Sequence, residues 1–221
     1  ITPGQRVAVI GPSAAGKSTL LRAMLGIYRT ASGSVRLDGA EISQWDRETL
    51  GPFIGYLPQD VELLDGSIKD NIARFGEADP ESVVEAAKLA GIHEMLLRLP
   101  EGYDTVIQGQ GAMLSAGQRQ RLGLARALYG LPKIIILDEP NSNLDQEGEV
   151  GLTQALLGLK QAGCTVIVVT HRPNILGQVD SIALMRDGQL AAFGPRDEIL
   201  KALQPKPQNP PSTPISAPVA P

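Results

Sequence analysis

The sequence predicts an α/β fold built on a largely parallel sheet that carries a phosphate-gripping loop, and three observations point to it. Val7–Ile10 is a short apolar run that ends in the stretch Gly11-Pro12-Ser13-Ala14-Ala15-Gly16-Lys17-Ser18, and a helical pattern follows from Lys17 to about Leu25. Ile134–Leu137 and Val166–Val169 are continuous apolar runs rich in β-branched residues, as strands covered on both faces require. Gln146–Gln161 has helical spacing and lies between them as a crossover.

The other elements follow along the chain. Ser34–Leu37, the turn Asp38-Gly39 and Ala40–Ile42 read as a hairpin. Phe53–Leu57 reads as a strand interrupted by Pro58-Gln59. From Ile68 to Leu99 the signals are helical, with Pro80 suited to a helix start and apolar spacing through Val83, Val84, Ala87 and Leu89-Ala90. Ser115 opens a helix running to about Tyr129, which Gly130 and Pro132 stop. Ser181–Arg186, Asp187-Gly188 and Gln189–Phe193 form a second hairpin. The helical stretch between Gln59 and Leu131 reads as an inserted subdomain, about 60–131.

Composition narrows the function classes. A chain of 221 residues buries one sizeable core, and 43% hydrophobic with 20% charged residues is ordinary for a globular protein. The net charge of -4 argues against a general polyanion binder, so no nucleic-acid partner is expected. The single cysteine, Cys164, opens the run Cys-Thr-Val-Ile-Val-Val and reads as a buried core thiol. No apolar stretch is long enough to span a bilayer. Ile1 leads almost directly into a strand without an initiator Met, so the chain is expected to be a piece of a longer protein. From Gln204 to Pro221 seven prolines stand among few large apolar residues, and a disordered or polyproline II-like tail is expected there.

The stretch from Gly11 to Ser18 fits G-x-x-x-x-G-K-[ST] in the context it needs, after a strand and before a helix. Its glycines let backbone N–H groups of Pro12's successors Ser13, Ala14 and Ala15, and of Gly16, converge on phosphate, and the helix start adds partial positive charge. Lys17 supplies a point charge for the β and γ phosphates, the Ser18 hydroxyl suits Mg²⁺, and Thr19 meets phosphate oxygens. Ile134–Leu137 runs into Asp138 and Glu139. Asp138 is placed to hold Mg²⁺ through water, and Glu139 to take a proton from the attacking water.

Leu114-Ser115-Ala116-Gly117-Gln118 lies some twenty residues before Asp138, at a helix start. At this point the sequence resembles the ATP-binding cassette (ABC) ATPases, whose signature usually reads Leu-Ser-Gly-Gly-Gln. Gln59 resembles their Q-loop glutamine, Asn143-Leu144-Asp145 their D-loop, and His171 their switch histidine. The resemblance covers Ile1 to Leu203 with six motifs in family order. It implies a P-loop NTPase fold of ABC type, with a mixed β core, an inserted helical subdomain and a small antiparallel subdomain over 1–203, truncated at the N-terminus. It also implies a head-to-tail homodimer with ATP at the interface. Ser115, Gly117, Gln118 and Asp145 of one copy then face the nucleotide held by Lys17 of the other. His171 would contact the γ-phosphate, and Gln59 would sense Mg²⁺ or the attacking water.

Two departures stand out. Ala116 replaces a glycine, and no aromatic residue precedes Gly11 to stack on adenine. Gly66–Ile72 and Gly102–Gly111 resemble exporter-type cassettes, and Pro140–Asp145 with His171-Arg172-Pro173 look most like bacterial type I secretion ATPases. That likeness implies transmembrane helices on the same parent chain, a place at the cytoplasmic face of the inner membrane, and a periplasmic adaptor with an outer-membrane channel as further partners. An ABC importer subunit is the nearest rival reading. A non-transport ABC ATPase of the DNA-repair type would need a coiled-coil insert longer than the stretch between Gln59 and Ser115.

Overall fold

The computed structural model describes residues 1–203, and the Pro-rich tail expected over 204–221 lies outside them. The chain begins with β1 (Arg6–Ile10) and α1 (Lys17–Met24), then the ribbon β2 (Arg36–Leu37) and β3 (Ala40–Glu41). Next come α2 (Arg47–Leu50), β4 (Ile54–Leu57), β5 (Gly66–Ser67), α3 (Ile68–Ile72), α4 (Pro80–Leu89), α5 (His93–Leu97), β6 (Val106–Ile107) and α6 (Ala116–Leu128). The last third is β7 (Ile134–Asp138), α7 (Gln146–Gln161), β8 (Thr165–Val169), α8 (Pro173–Leu176), β9 (Ser181–Arg186), β10 (Gln189–Pro195) and α9 (Arg196–Leu203).

Six strands form the main sheet in the order β10-β9-β1-β8-β7-β4. All neighbours are parallel except the β9–β10 hairpin. The side chains alternate between two apolar layers, as strands covered on both faces must. Val7, Val9, Ile136, Ile167 and Val169 pack with Leu21 of α1 on one face. Ala8, Ile135, Leu137, Val166 and Val168 pack on the other with Leu152, Ala155 and Leu156 of α7. Cys164 is free and buried, and burial pushes its thiol up.

The parallel arrangement decides where a site can form. β4, β7, β8 and β1 all point the same way, so the residues that follow them gather at one end of the sheet. Those residues are Gln59 after β4, Glu139 after β7, His171 after β8 and the loop from Gly11 after β1.

The two hairpin turns match expectation. Asp38 and Gly39 have φ of 49° and 84°, and Asp187 and Gly188 have 49° and 75°, the paired positive values of a tight type I′ turn. Three expectations change. Ser115 caps α6 rather than opening it, because its side chain and that of Gln118 close a reciprocal capping box. The first strand residue before Pro58 is Ile54, since Pro52 places Gly51–Phe53 in a 3-10 turn. The helical stretch from Ile68 to Leu99 is three helices, broken where Arg74 and Phe75 take positive φ and again at Gly91. Among the described residues no helix is long and apolar enough to cross a membrane.

Candidate nucleotide site

The loop between β1 and α1 is held by close backbone approach. Gly11 has φ 154°, and a Cβ there would stand 2.3 Å from the carbonyl oxygen of Met185. Ala14 (φ 62°) and Gly16 (φ 90°) turn the chain in the left-handed region, and Ala15 anchors the loop in the apolar layer around Leu21. Gly16 is also the N-cap of α1 and brings no side chain to it, so the first N–H groups of that helix receive no side-chain cap from it. Such an end suits an anion. Lys17 Nζ donates to the carbonyl oxygens of Gly11 (3.0 Å) and Pro12 (2.9 Å), which keeps its charge at the loop.

A cleft of about 270 Å³ opens over this loop, lined by Ser13, Ala14, Gly16, Lys17, Ser18, Thr19, Gln59 and Glu139. Three larger hollows lie away from these residues, one beside Tyr28, one under the β2–β3 ribbon and one beside Asp180 and Arg196. Chemistry rather than size marks the cleft over the loop as the site.

Asp138 ends β7 and is only 1% exposed. Among the described residues neither carboxylate oxygen has a hydrogen-bond partner of good geometry, and the Ser18 hydroxyl stands close enough only to bear on its charge. Burial pushes this carboxyl above the usual range; the Ser18 hydroxyl opposes the shift, Glu139 adds to it, and Arg22 and Lys17 pull weakly the other way. A buried carboxylate with free oxygens beside a serine hydroxyl and a phosphate loop fits Mg²⁺, which takes few protein ligands and completes its shell with phosphate and water. Ser18 and Asp138 would hold it, with Gln59 within the same cleft.

Glu139 follows with φ 48°, uncommon for a residue with a Cβ. Its N–H donates to the carbonyl of Val169 (3.1 Å) and its own carbonyl accepts from Ser142 (3.1 Å), so the turn is fixed at both ends. The side chain reaches into the cleft, where Gln59 Nε2 donates to Oε2 at 3.3 Å.

The other candidates do not line this cleft. Ser115 Oγ accepts from the Gln118 N–H at 3.2 Å, and Gln118 Oε1 accepts from the Ser115 N–H at 2.8 Å. Gly117 lies against the chain at Asn143, where a Cβ would meet the Asn143 oxygen at 2.9 Å. Asp145 caps α7 by accepting from the Gly148 N–H at 2.8 Å. His171 is exposed beyond the end of β8. Two polar residues escaped the sequence reading: Thr170 Oγ1 donates to Asn141 Oδ1 at 3.3 Å and accepts from the Arg172 N–H at 3.1 Å. They tie the turn after Glu139 to the residues around His171. Asn141 stands within Pro140–Asp145 and Thr170 directly before His171, and only the neighbouring of β7 and β8 reveals that they meet.

Known proteins resemble the chain over most of its length. The family model described as ABC transporter matches residues 1–142. The type I secretion system ATP-binding protein PrsD of Rhizobium meliloti is 55% identical over 201 residues, covering 90% of this chain and 34% of that protein. Human ATP-binding cassette sub-family B member 6 is 41% identical over 202 residues, covering 90% and 24%. A solved bacterial Atm1-family ABC exporter with ATP bound superposes with a TM-score of 0.83 at 34% identity, covering 91% of this chain and 35% of that one. The chain thus spans about a third or less of the relatives it matches. It belongs to the ABC transporter family and is an ATP-binding, ATPase domain of that family.

Proposed function

We propose that this domain powers export of a polypeptide by a type I secretion transporter, and that it works as a head-to-tail pair with ATP between the copies. The observation that carries the pair is the division of the candidate residues. The cleft around Lys17 is lined by the phosphate loop, Gln59 and Glu139 alone, while Ser115, Gly117, Gln118 and Asp145 lie elsewhere on the same chain. A second copy would supply them. The capped start of α6 then faces the phosphates as a second helix N-terminus.

In this reading Gly11, Pro12, Ser13, Ala14, Ala15, Gly16 and Thr19 cradle the phosphate chain, and Lys17 neutralises its outer charge. Ser18, Asp138 and Gln59 hold Mg²⁺, which supplies charge neutralisation at the β and γ oxygens. Glu139 accepts the proton of the attacking water, with Gln59 steadying its carboxylate. His171 contacts the γ-phosphate from beyond β8.

The likeness to PrsD supports polypeptide export, and the likeness to an ABC exporter structure supports export over import. A membrane-spanning part on the same parent chain, the cytoplasmic face of the inner membrane, and an adaptor with an outer-membrane channel complete the proposal. The test is sedimentation of Glu139→Gln with Mg²⁺ and ATP. An ATP-dependent dimer is expected, together with a wild-type specific activity that rises with protein concentration. A protein that stays monomeric with saturating ATP, and whose activity is flat on dilution, overturns the pair.

A further inference from the structure

We propose that Arg74 is a positioning residue for the composite site: its guanidinium pins the C-terminal end of α6 to β4, and so sets where Ser115 and Gly117 stand at the other end. The inference rests on the dimer reading above. Arg74 Nε donates to the carbonyl oxygen of Arg126 at 3.0 Å and Nη2 to that of Ala127 at 3.2 Å. Nη1 donates to the carbonyls of Gly51 at 2.8 Å and Ile54 at 3.1 Å. One planar fork thus joins two elements far apart in sequence.

The carbonyls at the end of α6 are ones that need such a donor, while that of Gly51 also accepts from the Ile54 N–H. Arg126 and Ala127 lie in the last turn of α6, where carbonyls lack a helical partner and a cation is favoured. Ile54 begins β4, the edge strand of the sheet, and Gly51 stands just before it. Gly55 allows the approach, since a Cβ there would lie 2.0 Å from the Ala127 oxygen. Arg126 adds a second tie by donating from Nη2 to the carbonyl of Glu62 at 2.8 Å, three residues after Gln59. Arg74 itself takes φ 58° to reach its place, and no carboxylate pairs with it among the described residues.

Geometry turns this tie into a control on the distant end. α6 has 13 residues, so its ends stand about 20 Å apart. A tilt of about 3° at the pinned end moves the other by about 1 Å, a displacement that can cost ~10²-fold in rate. Lysine cannot replace the fork, because a point charge on a flexible stem does not bridge four fixed carbonyls.

The experiment places Arg74→Ala and Arg74→Lys separately in the Glu139→Gln background. ATP-driven dimerisation is read by sedimentation, and own-chain affinity by titration of a fluorescent ATP analogue at protein concentrations well below dimerisation. The expected result is a dimerisation constant at least ~10-fold weaker in both variants, with analogue affinity within about twofold of the parent. Arg74→Lys keeps the buried charge and decides the matter if Arg74→Ala does not fold. Dimerisation equal to the parent overturns the assignment, as does a parallel loss of analogue affinity and dimerisation. If the Glu139→Gln parent itself fails to dimerise, the dimer reading falls and this assignment with it.

Discussion

Gln59 Nε2 stands 3.3 Å from Glu139 Oε2, across 80 residues of sequence and between two adjacent parallel strands. The contact joins the end of β4, at the sheet edge, to the residue proposed to activate water. Glu139→Gln keeps an oxygen for the Gln59 amide but removes the proton acceptor. Turnover is therefore expected to fall by ~10²-fold or more while ATP-analogue affinity changes little. Gln59→Ala removes the steadying donor and one of the three proposed Mg²⁺ ligands but leaves the proton acceptor in place, and a smaller loss of about 10-fold is expected. Steady-state ATPase rates and equilibrium titration measure both, and a wild-type rate for Glu139→Gln removes it as the base.

Asp138 poses a different trade. A buried carboxylate with no hydrogen bond of good geometry among the described residues is costly to the fold, so Asp138→Asn is expected to raise the melting temperature of the nucleotide-free protein by about 3 °C. Burial raises the folded-state pKa, so the charge weakens the fold as pH rises above the unfolded carboxyl value; the gain should be largest at neutral pH and vanish near pH ~4. The same substitution should abolish the extra thermal shift that Mg²⁺ adds to ATP. Calorimetry across pH, with and without Mg²⁺, measures both parts. A variant that melts lower at neutral pH and still responds to Mg²⁺ would remove Asp138 from the metal site.

The features legible in the sequence are those in which one residue type is forced locally. Gly11 and Gly16 must lack a Cβ, and Asp38-Gly39 and Asp187-Gly188 suit turns with paired positive φ. Ile134–Leu137 and Val166–Val169 are apolar throughout because both faces are covered. What stayed hidden depends on pairing at a distance. β5 and β6 are two residues each, too short for any period, and exist because Gly66 meets Ile107 and Ser67 meets Val106. The break at Arg74 and Phe75 puts the positive φ on two residues with a Cβ rather than on the neighbouring Gly76; the Arg74 hydrogen bonds and the packing of the Phe75 ring against Gly66 hold it. Likewise Gly117 announces a tight approach, but only the fold shows that Asn143 is what it meets.

Arg6 and Asp180 give a pH test away from the site. Arg6 is buried, its Nε donates to Asp180 Oδ2 at 3.2 Å, and its Nη2 donates to Oδ1. The hydrogen bonds from Arg6 hold the Asp180 carboxyl below its usual value. Its contribution to stability is therefore present above the unfolded pKa of about 4 and is lost as pH falls through the lower folded value. Asp180→Asn should cost about 1–2 kcal/mol at pH 7, a figure reduced because the Asp180 side chain is 45% exposed. The gap between wild type and variant should narrow below about pH 4. Urea unfolding at pH 7 and pH 3.5 measures it, and a gap that widens in acid contradicts the pairing.

Gly117 separates the two halves of the proposed site most sharply. A methyl group there would meet the Asn143 carbonyl oxygen at 2.9 Å, so Gly117→Ala must push the start of α6 and the segment before Asp145 apart by a few tenths of an ångström. Neither segment lines the cleft around Lys17. Own-chain affinity for an ATP analogue is therefore expected to stay within about twofold, while ATPase activity at micromolar protein falls by at least ~10-fold, because the displaced surfaces are those a second copy would use. The wild-type chain mixed with excess Gly117→Ala offers a sharper reading. Mixed pairs retain one intact composite site, so activity per wild-type chain should persist in part rather than vanish. Analogue affinity falling in step with activity would instead place Gly117 in its own chain's nucleotide site, and the division between two copies would be wrong.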